Sequence, residues 1–139
     1  MYKKILLSAD GSEHSKRAGE HAFHLASCTP DSRVVIVYVI DPGKAKSEVL
    51  TNWNSLDVLG SRKARIKEIE LAAQHSGVTF QVEILHGDAG PTIVEYANTN
   101  RFDLVVIGSR GLNRLQEFVL GSVSHKVAKR VNCPVLIVK

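Results

Sequence analysis

A glycine-rich segment in the carboxyl-terminal third of the chain carries the residues best suited to bind a ligand. It reads Gly108-Ser109-Arg110-Gly111, then nine residues, then Gly121-Ser122-Val123-Ser124. Glycines let a backbone turn sharply and come close to a ligand because they have no Cβ. The two later serines place hydroxyls and backbone N–H groups at the expected start of a helix, where the partial positive charge suits an anion. The segment is therefore predicted to cradle phosphate.

The segment departs from two well-known phosphate loops. It lacks the G-x-x-x-x-G-K-[ST] pattern with its lysine, and it does not follow G-x-G-x-x-G. Arg110, Arg114 and Lys126 are close in sequence and supply positive charge instead. A plainer interpretation makes the first glycines turn residues and Ser122 an ordinary helix N-cap. Loop chemistry alone leaves both interpretations open.

Apolar periodicity predicts strands and helices that alternate along the whole chain. The predicted strands are 4–9, 33–40, 78–85, 103–107 and 134–138, and the predicted helices are 15–28, 55–76, a short one from Pro91, and 121–131. The continuous β-branched run in 33–40 is typical of a strand buried on both faces of a parallel sheet. We therefore expect an α/β fold: one Rossmann-like domain over residues 1–139, an open five-stranded parallel sheet with helices on both faces.

In such sheets, ligands bind outside the carboxyl ends of the strands, where the strand order reverses. The loops predicted at those ends are Asp10-Gly11-Ser12, Asp41-Pro42-Gly43, His86-Gly87-Asp88 and Gly108-Ser109-Arg110-Gly111. Among the carboxylates we single out Asp10, either as a turn former or as a ligand of a ribose or of a nucleotide-bound Mg²⁺. The sequence thus predicts a site where the first-strand loop and the glycine-rich segment meet.

The spacing G-x-x-G, nine residues, G-[ST] resembles the nucleotide signature of the ATP-binding branch of the universal stress protein family. The resemblance covers the whole chain, from the strand ending in Asp10-Gly11-Ser12 to the closing Cys-Pro-Val-Leu-Ile-Val. It implies an adenine nucleotide, ATP first, as the ligand of a stress-response protein. Partner specificity does not carry over, because the region 41–54 varies within the family.

The resemblance also implies which residues hold the nucleotide. Asp10 and the preceding Ala9 contact the nucleoside, and backbone groups at Val39 hold the adenine. The phosphates and ribose lie against the glycine motif, which maps to Ile107, Gly108, Arg110, Gly111, Gly121, Ser122, Val123 and Ser124.

The chain shows no clear catalytic constellation: no Ser–His–Asp order, paired catalytic carboxylates or activated cysteine stands out. Rapid ATP hydrolysis needs an in-line water, a base that positions it and neutralisation of the transferred charge. We therefore expect ATP to be held and turned over slowly if at all. Two alternatives stay open, a nucleotide-independent interaction module of the same fold and a weak ATPase.

Composition excludes several other classes of protein. The chain has 139 residues, of which 44% are hydrophobic, and this suits one domain with a substantial core. No apolar run reaches the roughly 18–20 residues that cross a bilayer, and the start lacks a signal-peptide core, so we expect a cytoplasmic protein. The net charge of +4 comes from 18 basic and 14 acidic residues spread along the chain, which does not indicate nucleic-acid binding.

The cysteines and histidines are predicted to be structural or solvated. Cys28 and Cys133 are far apart in sequence, and we interpret them as reduced, half-buried thiols. His21 and His24 share a helical face, but no third ligand is spaced to complete a metal site. His125 follows the serines of the glycine motif, where it either touches the ligand or is solvated.

The last predicted strand, Pro134–Val138, suggests an assembly. Proline at its start is tolerated at a sheet edge, and an uncovered apolar edge is prone to pair with another strand. We expect a two-fold homodimer through this edge, which is also what the family resemblance implies. Burial by the chain's own helices is the alternative.

Overall fold

The computed structural model describes residues 1–43, 55–110 and 120–139, with side chains throughout except in 55–62. Strands and helices alternate along these residues as predicted. The elements are β1 (Lys4–Ser8), α1 (Glu13–Ser27), β2 (Arg33–Ile40), α2 (Ser55–His75), β3 (Thr79–His86), α3 (Ala89–Asn100), β4 (Leu104–Gly108), α4 (Ser122–Arg130) and β5 (Val135–Val138).

The five strands form one parallel sheet in the order β3-β2-β1-β4-β5. The chain builds outward from β1 through β2 to β3, and then returns to place β4 on the other side of β1. The strand order therefore reverses between β1 and β4, where Leu6 is opposite Val105. An open parallel sheet offers its ligand crevice at this kind of reversal.

Helices cover both faces of the sheet, as predicted. On one face, Leu7 and Ile36 pack with Phe23 of α1 and Ala73 of α2. On the other face, Leu6 and Val35 pack with Ile93 of α3 and Val127 of α4. Successive residues of a strand point to opposite faces, so β1 and β2 supply both cores, and this explains their continuous apolar sequences.

The outermost strands are β3 and β5, so the prediction that the last strand lies at an edge is confirmed. Three of the four side chains of β5 are only half-buried, those of Val135, Leu136 and Ile137. Across the described ranges, no helix has the length and apolar character needed to cross a membrane.

Candidate functional site

The loop after β1 is held by its own hydrogen bonds. Asp10 Oδ1 accepts from the backbone N–H of Ser12 at 2.8 Å, and Ser12 Oγ in turn accepts from Ser15 N at 3.1 Å. Ser12 thereby caps α1, which is why the helix starts at Glu13, two residues before the predicted start. Gly11 has a φ of +82°, a conformation that favours glycine. The carboxylate of Asp10 is consequently fixed at the strand end.

The two halves of the glycine motif meet at the end of β4. The carbonyl oxygen of Ser109 accepts from Gly121 N at 2.9 Å and from Ser124 Oγ at 2.8 Å. The N–H of Ser109 donates to Val138 O at 2.7 Å, which ties the same residue to β5. Ser109 and Ser124 are both buried. The intervening residues 111–119, which include Gly111 of the predicted site, lie outside the described residues.

The start of α4 adjoins the end of β4 and has backbone N–H groups without partners inside the helix. Gly121 is the N-cap and makes no side-chain cap, and the first turn contains no acidic residue. Ser122 is exposed, Val123 is half-buried, and the hydroxyl of Ser124 is committed to backbone oxygens of the loop. Ser124 can therefore offer an anion its backbone N–H, whereas Ser122 can offer its hydroxyl as well.

The first turn of α1 packs directly on the glycine motif. A Cβ on Gly108 would lie 2.7 Å from the Cβ of His14 and 2.8 Å from its carbonyl carbon, so no larger residue fits there without a shift. His14 Nε2 is 3.4 Å from Arg110 Nη2, and both side chains are half-buried. His14 was not predicted from the sequence, because its only signal was a position four residues after Asp10.

The remaining predicted residues lie along the same edge of the sheet. Ala9 is buried and donates its N–H to Val37 O at 3.0 Å, which places Val39 two residues further along β2. Ile107 is buried opposite Ile137. Strands lie about 4.8 Å apart, so the step from β2 across β1 to β4 is roughly 10 Å. The structure thus places Val39, Ala9 and Ile107 at the carboxyl ends of three neighbouring strands.

A separate groove of about 300 Å³ runs between α1 and α2. It shares Gly11 and Ser12 with the first-strand loop and extends along the helices, past Phe23 and Ile69, to His75. Lys16 and Glu68 form an ion pair across it at 3.0 Å. The groove therefore begins at the loop after β1 and lies mainly over the helical layer.

The cysteines differ from each other, and the prediction that both are half-buried is wrong for Cys28. Cys28 is exposed because it caps the carboxyl end of α1, where its Sγ lies 4.0 Å from His24 Nε2. Cys133 is half-buried as predicted, and this burial raises the pKa of its thiol. His21, His24 and His125 are exposed. Within the described part of the chain, no group of three metal-ligating side chains is positioned to hold an ion.

Comparison with known proteins finds similarity over the full chain. Universal stress protein MJ0531 of Methanocaldococcus jannaschii is 34% identical over 142 residues, which cover 100% of this chain and 83% of the relative. The solved structure of MJ0577 from the same organism superposes with a TM-score of 0.82 at 32% identity, covering 100% and 96% of the two chains.

A universal stress protein solved in complex with cAMP gives a TM-score of 0.73 at 27% identity, covering 99% of this chain and 97% of that one. The model of the universal stress protein family matches residues 1–139. With its whole length matched in sequence and its sheet matched in structure, this chain belongs to the universal stress protein family.

Proposed function

We propose that this protein is a cytoplasmic nucleotide-dependent regulator in a stress response and that it binds an adenine nucleotide, ATP first. The observation that carries this proposal is the closure of the glycine motif at the strand reversal, where Ser109 O holds Gly121 N and Ser124 Oγ. The relative solved with cAMP, at 27% identity, supports the same ligand class. A closed loop of this kind presents backbone N–H groups to phosphate at a helix start.

The proposed pose follows the edge of the sheet. The phosphates lie against the start of α4, where Ser122 is exposed and acidic residues are absent from the first turn, and beside Arg110. The adenine end lies at Val39, roughly 10 Å away across β1. Ala9 and Asp10 follow directly after β1, and they contact the nucleoside between the adenine end and the phosphates. Ile107, Gly108, Val123 and the backbone of Ser124 complete the cradle, together with Gly111 from outside the described residues.

Mg²⁺ is proposed to accompany a polyphosphate ligand. Mg²⁺ in nucleotide sites is usually held by one or two carboxylates and by phosphate oxygens. Asp10 fits this requirement, since the Ser12 N–H bond at 2.8 Å fixes the orientation of its carboxylate at the strand end. Asp10 would therefore contribute a single carboxylate ligand, and phosphate oxygens and waters would contribute the others.

Nucleotide is proposed to be held and turned over slowly if at all. The glycine motif and the start of α4 contribute binding and positive charge, whereas fast hydrolysis also needs a positioned water and a base. Occupancy would then act through stability or through partner binding. Sustained multiple turnover of ATP that is lost in Asp10→Ala would instead establish the weak ATPase.

Native mass spectrometry and thermal melting test the proposal. Gently purified protein should carry adenine nucleotide, and ligand at 100 times its Kd should add about 2.7 kcal/mol to the unfolding free energy. Gly121→Val should remove the ligand-induced rise in Tm. A Cβ at Gly121 meets its nearest atom, Arg110 Cα, at 3.4 Å, so the small step Gly121→Ala is the matched control for the fold.

Absence of both co-purified nucleotide and any ATP-induced rise in Tm would refute nucleotide binding. The nucleotide-independent interaction module would then be the better description. An undiminished rise in Gly121→Val would refute the position of the phosphates while leaving nucleotide binding in place.

We also propose that two copies pair through the β5 edge into a homodimer. Pro134 O accepts from the N–H of Val105 in β4 at 3.0 Å, and Val138 O accepts from that of Ser109, just after β4, at 2.7 Å. Because backbone groups alternate along a strand, those of Val135 and Ile137 point to the open edge. A second strand could pair there without disturbing the sheet.

Analytical ultracentrifugation at micromolar concentration measures this assembly. The unaltered protein should sediment as a dimer, and Ile137→Pro, which removes an outward N–H, should sediment as a monomer. Circular dichroism confirms that the variant remains folded. If the unaltered protein sediments as a monomer, the proposed homodimer is wrong.

A further inference from the structure

We propose that His14 is a positioning residue for Arg110, and that this pair makes the site prefer an open di- or triphosphate over a single or cyclic phosphate. The inference rests on the proposed function of the same site and names its ligand class more closely. It concerns a residue outside the glycine motif, on a different helix.

The chemistry of the two side chains sets which of them can donate in their contact. Arg110 Nη2 and His14 Nε2 are 3.4 Å apart although the residues are separated by 96 positions in sequence. A guanidinium has only donors, so His14 must present the lone pair of Nε2. Nε2 can accept only in the tautomer that carries its proton on Nδ1, and that tautomer is the one assigned to this contact.

The histidine is well placed to restrain the arginine because its own backbone is fixed. His14 belongs to the first turn of α1, which Ser12 caps, and its carbonyl carbon would lie 2.8 Å from a Cβ on Gly108. An arginine side chain is long and rotatable, and a preorganised planar group loses less freedom per hydrogen bond on binding. His14 thus holds the guanidinium in place before a ligand arrives.

The course of the Arg110 side chain supports the preference for more than one phosphate. Its Cα lies 3.4 Å from the position of a Cβ on Gly121, the N-cap of α4, whereas its guanidinium lies at His14 in the first turn of α1. The side chain therefore leads away from the start of α4, where one phosphate is sufficient to engage the backbone N–H groups. A second phosphate, linked to the first, would extend along this side chain and pair with the guanidinium in two parallel hydrogen bonds.

Three other charged side chains near the site differ from Arg110 in position. Arg65 is exposed, and its stem lies against Gly11 of the first-strand loop, with its Cδ 2.8 Å from the position of a Cβ there. Glu13 is an exposed acid in the first turn of α1 and disfavours an anion there, which directs the phosphates toward α4 and Arg110. The stem of Lys126 lies over Gly90 at the start of α3, with its Cδ 2.9 Å from the position of a Cβ on that glycine. Arg110 is therefore the described cation whose side chain is anchored at the junction of α1 and the glycine motif.

Isothermal titration calorimetry at one pH and one salt concentration tests the inference. The ligands are ATP, ADP, AMP, cAMP, inorganic phosphate and pyrophosphate, and the proteins are the unaltered chain, His14→Leu, His14→Gln and Arg110→Gln. We expect ATP to bind about tenfold or more tightly than AMP to the unaltered chain, the size of effect typical of one added charge-assisted interaction. His14→Leu and Arg110→Gln should reduce that ratio several-fold. His14→Gln keeps an acceptor for the guanidinium and should restore most of it.

The readout is a ratio of affinities, which a merely structural loss would leave unchanged because it weakens all nucleotides alike. If nucleotides bind but the ratio is the same in all four proteins, or if Gln and Leu at position 14 lower it equally, the inference is wrong and the proposed function stands. If pyrophosphate binds in a His14-dependent manner while adenine nucleotides do not bind, the proposed function is wrong and the function of the pair stands. If neither binds, both are wrong. Should His14→Leu fail to fold, Arg110→Gln carries the same comparison.

Discussion

A Cβ atom on Gly108 would lie 2.7 Å from the Cβ of His14. This approach of β4 to the first turn of α1 brings the loop after the first strand against the glycine motif. The first glycine of the motif is therefore needed for helix packing, whatever it also does for a ligand. The contribution of Gly108 to packing can be measured separately from its contribution to ligand binding.

Gly108→Ala should destabilise the protein by about 1–3 kcal/mol, because the added methyl meets the backbone of α1 and overpacks the contact. Urea denaturation measures the loss. Gly121→Ala is the matched control, since its new methyl would have neighbours at 3.4 Å and beyond, and it should cost less. Equal losses in the two variants would contradict the packing argument.

Alanine substitutions at Ser124 and Ser122 should have different effects, the first on protein stability and the second on ligand binding. The Ser124 hydroxyl is buried and bonded to Ser109 O at 2.8 Å, so Ser124→Ala should cost about 0.5–1.5 kcal/mol in unfolding free energy. Ser122→Ala removes an exposed hydroxyl and should change stability by less than about 0.5 kcal/mol. Its nucleotide affinity, measured by calorimetry, should fall several-fold. Unaltered affinity would exclude the Ser122 hydroxyl as a ligand.

Asp10 should show two separable contributions, one to the turn and one through its charge. Asp10→Asn keeps an oxygen that can accept from Ser12 N, so its Tm should stay close to that of the unaltered protein, whereas Asp10→Ala should lower it. Both variants should bind ATP more weakly than the unaltered protein in the presence of Mg²⁺. This loss of affinity should be smaller when Mg²⁺ is chelated. If Asp10→Asn binds Mg²⁺–ATP normally, the carboxylate is a turn former only.

The two thiols should differ in alkylation rate. Burial raises the pKa of the Cys133 thiol, so its thiolate form is reached at higher pH, whereas Cys28 is exposed. At pH 8, Cys28 should react at least about tenfold faster than Cys133, since the thiolate is the nucleophile and must also be accessible. The difference should narrow as pH rises. Mass spectrometry of Cys28→Ser and Cys133→Ser assigns each rate, and equal rates would contradict the burial of Cys133.

Much of the candidate site was predictable because its components sit at strand ends. The apolar runs before Asp10 and Gly108 located those ends, and the glycine spacing supplied the family resemblance. The partners of Ser109 and Ser124 were not predictable, because a serine at a helix start is equally compatible with a solvent-facing hydroxyl. The burial of Cys28 was predicted wrongly for a similar reason, because apolar neighbours in sequence do not indicate whether the side chain of a helix C-cap is buried or exposed.

The sequence by itself determined the alternation of strands and helices and the spacing of the glycine motif that carries the family resemblance, because both depend on local residue type and spacing. Only the tertiary structure decided that β1 and β4 are neighbours and that His14 meets Arg110. The physical reason is that apolar periodicity reports which face of an element is buried, whereas strand order and contacts across 96 positions depend on how the buried faces pack together.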